Sequence, residues 1–153
     1  MRCNVGINPQ YLVDQHLLAE MMEIPMVVGS LRYWNFEIKS KVPEKFDLGS
    51  GHMNFLKTKL VYLSRRHSAV SKEIERRGFK NTKSRIILDD VPNKYCNNWS
   101  PTFEDSYVIR QRIIFKLLSK SNIKFWRYNR QYLDTDKLKH IIFKTECGEL
   151  FCV

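Results

Sequence analysis

An all-α domain is the fold class this sequence predicts: one compact unit of three main helices with irregular loops, plus a small C-terminal β-hairpin. Three observations predict it. Apolar residues recur at helical spacing in three long stretches, which begin near residues 11, 52 and 101. Proline and glycine fall where helices start and stop, at Asn8-Pro9, Gly78 and Ser100-Pro101. The 153 residues, 43% hydrophobic and 27% charged, are enough for one buried core and unlike a disordered chain.

Asn8 reads as a helix N-cap with Pro9 at the first helical position, followed by Tyr11, Leu12, Leu17, Leu18, Met21 and Met22 at helical intervals. Pro25 should end or kink this helix, with residues 26–34 resuming it. A second helix is expected over 52–77, burying Phe55, Leu56, Leu60, Leu63, Val70 and Ile74 and stopping at Gly78. Arg76 and Arg77 suit the negative end of its dipole and by themselves require no ligand. "RIILDDVP" reads as a short extended segment before a polar loop, and Ser100-Pro101 opens a third helix through about residue 120. The tail "HIIFKTECGELFCV" alternates apolar and polar residues around Gly148, which is the expected hairpin.

Lys and Arg number 26 against 16 Asp and Glu, a formal net charge of +10. Such a field attracts polyanions, nucleic acid first, although a basic surface that only aids solubility has the same composition. No apolar run approaches the ~20 residues of a membrane span, and "MRCNVGINPQ" has no signal-peptide core. Cys3, Cys96, Cys147 and Cys152 are irregularly spaced, as suits reduced thiols in a cytoplasm and not a structural zinc site.

The densest polar cluster is "DQHLLAEMMEIP", where His16, Glu20 and Glu23 share one side of a helix. That spacing fits a buried polar network first, then a general acid-base site, then a metal site. Arg112 and Lys116, four apart, face successive phosphates or simply solvent. "KFWRYNRQY", with Trp126 and Arg127, is an aromatic-basic clamp on a nucleic-acid strand or an aromatic plug in the core.

These stretches resemble the pyrimidine dimer DNA glycosylase family. "RCNV" followed by "DQHLLAEMMEIP" is similar to the family's opening, and "LGSGHMNFLKTKLVYL" to its next helix entry. Arg77-Gly78-Phe79, "SPTFEDSYVIRQRIIFK" and "FWRY" fit further on. The similarity covers roughly residues 1–130, with 131–153 a C-terminal extension packed on the same domain.

The resemblance implies an all-α monomer without metal or other cofactor, acting on double-stranded DNA with damaged or modified bases. It places the protein in the cytoplasm of a bacterial or phage-infected cell. In that family the N-terminal α-amine attacks C1′ of the sugar, forms an imine as the base leaves, and nicks the strand by β-elimination. An α-amine ionises near ~8, so a useful fraction is nucleophilic at neutral pH.

Carried over residue by residue, the nucleophile falls on Met1, which Arg2 should protect from removal, and the catalytic carboxylate on Glu23. Arg2, Gln15, His16, His52, Arg112, Lys116, Trp126 and Arg127 match DNA-facing positions, and Glu20 reads as structural. Met22 and Met26 stand where the family has arginines, which puts the pyrimidine-dimer specificity in question. The alternatives are the same chemistry on another damaged or modified base, and a DNA-binding protein without catalysis.

Overall fold

The computed structural model describes residues 3–49, 51–80, 85–119 and 125–147. Helix α1 (Asp14–Tyr33) crosses the centre of the molecule, burying Leu17, Met21, Ile24, Val27, Val28 and Leu31. Short α2 (His52–Lys57) leads into α3 (Leu60–Arg76), which packs along α1 with Leu63, Val70 and Ile74 inward. Asp14 pairs with Arg77 and Glu20 with Arg66, so the two helices run antiparallel. Helix α4 (Phe103–Ser119) closes a third side through Ile109, Ile113 and Leu117. Strands β1 (Arg127–Tyr128) and β2 (Gln131–Tyr132) form an antiparallel hairpin, and α5 (Thr135–Cys147) follows with Leu138 and Ile141 buried. Among the described residues no helix is long and apolar enough to cross a membrane.

Local chemistry explains the boundaries. Asn8 accepts a hydrogen bond from Gln10 N at 3.1 Å, but this cap opens only the 3-10 turn Pro9–Tyr11; α1 begins at Asp14. Pro25 neither ends nor interrupts α1. It lacks the N–H that Met21 O would accept, and the buried ring of His67 meets that carbonyl instead.

The helix expected over 52–77 is two helices. Thr58 Oγ1 donates to Phe55 O at 2.8 Å, Asn97 Nδ2 donates to Thr58 O at 3.0 Å, and Lys59 bridges to Cys96. These bonds take up the groups that a continuous helix would use. Gly78 caps α3 as expected: its φ is +73°, and Phe79 N reaches back to Ile74 O at 3.2 Å. A reciprocal pair opens α4, with Thr102 N donating to Asp105 and Asp105 N to Thr102 Oγ1.

The C-terminal hairpin lies earlier than the alternation around Gly148 predicts. Residues 140–147 are helical, and residues 148–153 lie outside the described set. The observed turn is Asn129-Arg130, both at positive φ (53° and 68°), the geometry that suits the twist of a two-residue hairpin.

Gly6 sits where α4 meets the N-terminal segment, at φ +73°. A Cβ there would lie 1.9 Å from Ser106 Oγ and 2.8 Å from its Cβ. Gly6→Ala is therefore expected to destabilise the fold by at least about 1–3 kcal/mol, measured by urea unfolding.

Candidate active site

The α1 row separates into two roles. Glu20 is fully buried and accepts five hydrogen bonds: Arg66 Nε (2.8 Å), Arg66 Nη2 (3.0 Å), Asn4 N (3.0 Å), Asn4 Nδ2 (2.8 Å) and Cys3 Sγ (3.6 Å). Burial alone would raise its carboxyl, but the Arg66 charge and the Arg66 and Asn4 donors outweigh it and hold the group below the usual carboxylate range. Arg66 also donates to Ile7 O, and Arg112 Nη2 donates to Asn4 Oδ1 at 2.8 Å. A chain of contacts thus runs Arg66–Glu20–Asn4–Arg112 and fixes the N-terminal segment against α1 and α4. Cys3 lies in the same knot; burial first, then the Glu20 charge, pushes its thiol well up, so it stays protonated and unreactive.

Glu23 lies three residues beyond Glu20, at about the same azimuth, where the row reaches solvent. It is half-buried, with its Oε2 shielded from water. One carboxylate is therefore consumed by structure, while its neighbour is only half-buried.

His16 is buried with its ring edge-on to Trp126 at 5.1 Å. Trp126 is itself only 4% exposed and donates Nε1 to Leu117 O at 3.3 Å. Its ring belongs to the core, the plug of the two alternatives and not a solvent-facing clamp; its neighbours Phe125 and Arg127 are exposed. The Arg127 guanidinium lies 4.4 Å from the Tyr132 ring centre.

Gln15 spends both ends of its amide on the same segment, donating to Phe125 O and accepting from Arg127 N at 3.0 Å. It therefore positions the hairpin. Arg112 and Lys116 lie one turn apart on the same flank of α4, both half-buried.

His52 is buried at the start of α2, with Nδ1 3.0 Å from Asp47 O and its ring edge-on to Phe46 at 5.2 Å. That carbonyl fixes the proton on Nδ1 and leaves Nε2 an acceptor. Burial, aided by the Arg112 charge and opposed by the Asp47 carbonyl, holds the ring below its ordinary pKa and hence neutral at pH 7. The expected nucleophile Met1, with Arg2, lies outside the described residues.

Asp14, which opens the polar cluster but had no role assigned from the sequence, organises the rim. It accepts from Arg77 Nη1 (2.7 Å), Asn129 N (3.1 Å) and Arg130 N (2.7 Å), tying the hairpin turn to the ends of α1 and α3.

The structure thus defines a small, mostly helical basic domain with an acid beside a locked N-terminal segment. The sequence profile of the pyrimidine dimer DNA glycosylase family matches residues 2–87, more than half of the chain. The protein belongs to the pyrimidine dimer DNA glycosylase family, and hence to the DNA repair glycosylases. The match spans the N-terminal segment and α1 to α3, so Glu20, Glu23 and His52 fall within it, while Arg112, Lys116, Trp126 and Arg127 fall beyond it.

Proposed function

We propose that the protein is a glycosylase with AP-lyase activity that acts on pyrimidine dimers through the α-amine of Met1. The amine attacks C1′ of the damaged nucleotide, and the glycosidic bond breaks with its electrons leaving on the base. Loss of a proton from nitrogen accompanies sugar-ring opening to the imine. The imine then accepts electrons as a C2′ proton is removed and the 3′ phosphate departs, which nicks the strand.

Glu23 stabilises cationic sugar character and moves these protons. Arg112 and Lys116 meet phosphates, while Gln15, His16 and Trp126 support the DNA-facing rim that carries Arg127. His52 supplies Nε2 as an acceptor to the same site, and Arg2 adds a cation beside the nucleophile.

The observation that carries this reading is the locking of Asn4 onto Glu20, with Glu23 three residues further along α1. Met1 lies three residues before Asn4, and three extended residues span at most about 10 Å, a tether short enough to support a meeting of the amine with Glu23. Borohydride reduction during reaction with abasic or UV-irradiated duplex is expected to trap a covalent complex through Met1. Absence of a trapped species on both substrates would sink the proposal.

A second reading keeps the chemistry and changes the base. Met22 and Met26 flank Glu23 and are 52% and 64% exposed. Flexible thioethers in water beside an acid suit contact with an apolar base face better than with phosphate. On a panel of modified duplexes, Met22→Arg/Met26→Arg should raise activity on dimers relative to the native chain. An unchanged ratio between dimers and other modified bases would leave no role for the methionines in selection.

A further inference from the structure

A second concentration of positive charge lies on the opposite flank of α4. At ~100° per residue, Arg112 and Lys116 border one edge of the helix's buried stripe, whereas Phe103 and Arg110 border the other. Between that second edge, α3 and residues 6–10 runs a groove of about 850 Å3. Arg65, Lys72 and Arg76 line its α3 wall, with Arg110 across from them. Positions 65, 69, 72 and 76 follow steps of four, three and four, so the three α3 cations form one straight row about 16 Å long. Among the described residues that line the groove, the one acid is Glu73, and both its oxygens are bonded to Arg76 and Arg77.

The facing wall is aromatic. Phe103 is 62% exposed, stacks on Tyr107 at 6.3 Å between ring centres, and lies 5.5 Å from the Arg110 guanidinium. An aromatic face left in water opposite a line of cations matches the two requirements of a single nucleic-acid strand: neutralisation of its phosphates and a platform for an unstacked base. A duplex meets only the first, because its bases already stack on one another.

We propose that the α3–α4 groove is a second nucleic-acid site that takes a single-stranded segment. Its phosphates run along Arg65, Lys72 and Arg76, and a base stacks on Phe103. The site is separate from the Glu23 face and does not depend on the reaction assigned there.

Fluorescence anisotropy with the full chain tests it, using a short oligothymidylate, a short undamaged duplex and inorganic polyphosphate as probes. Arg65→Glu/Lys72→Glu, both at exposed positions, should weaken oligothymidylate binding about tenfold or more and leave duplex binding within about twofold. Phe103→Ala should weaken oligothymidylate roughly tenfold and leave polyphosphate unchanged. Circular dichroism confirms that each variant is folded. Native oligothymidylate affinity in the double variant overturns the proposal, as does Arg112→Ala abolishing oligothymidylate binding while the double variant retains it. Equal indifference of both probes to Phe103→Ala reduces the groove to a basic trough and overturns the strand assignment.

Discussion

Replacing Glu23 with glutamine is expected to lower base release and strand nicking by about 10²–10⁴-fold, the usual contribution of a positioned acid-base group. Stability should change by no more than about 1 kcal/mol, because the amide keeps the shape of this half-buried side chain. Duplex affinity should also persist, since the phosphate contacts proposed above are those of Arg112 and Lys116. Single-turnover nicking of UV-irradiated duplex, read beside thermal unfolding, checks both halves. A variant that cuts at the native rate would remove Glu23 from the reaction.

Glu20→Gln should give the reverse pattern in stability. It leaves the Arg66 guanidinium buried without its counter-charge, which costs about 3–5 kcal/mol. It also loosens Asn4, so activity should fall together with stability and not independently of it. The native Glu20 carboxyl is held below its ordinary 4.5, so its contribution is complete above that pH and is lost as pH falls through the lower folded value. Unfolding free energy should therefore drop on acidification below about 4.5 in the native protein and less steeply in Glu20→Gln. Urea titrations at several pH values make the comparison.

The contrast between these neighbouring acids shows what the sequence could reveal. Spacing alone put His16, Glu20 and Glu23 on one face, which the helix confirms, but left three meanings open for the cluster. The resemblance made Glu20 structural, and Arg66, 46 residues away, supplies the physical reason. Elements with local signals were readable: the apolar stripe of α1 and α3, the Gly78 cap and the third helix. Features settled by distant partners were not.

The break at Thr58 depends on Asn97 and Cys96. The hairpin turn lacks a glycine, and its N–H groups are satisfied by Asp14 from the opposite end of the chain. Trp126 resembles a surface aromatic among arginines until His16 and Leu117 are seen to enclose it. The tail "HIIFKTEC" is too short for alternation to be told from a helical period.

The position of Asp14 also constrains the order in which the molecule is assembled. Its carboxylate receives groups 63, 115 and 116 residues further along the chain. While the chain is still being synthesised, Arg77 is available long before the hairpin exists. Helices α1 and α3 can join first and carry a prepared acceptor that waits for the turn. The last-made third of the protein is then a latch, and the rim around Arg127 acquires its shape only when that latch closes.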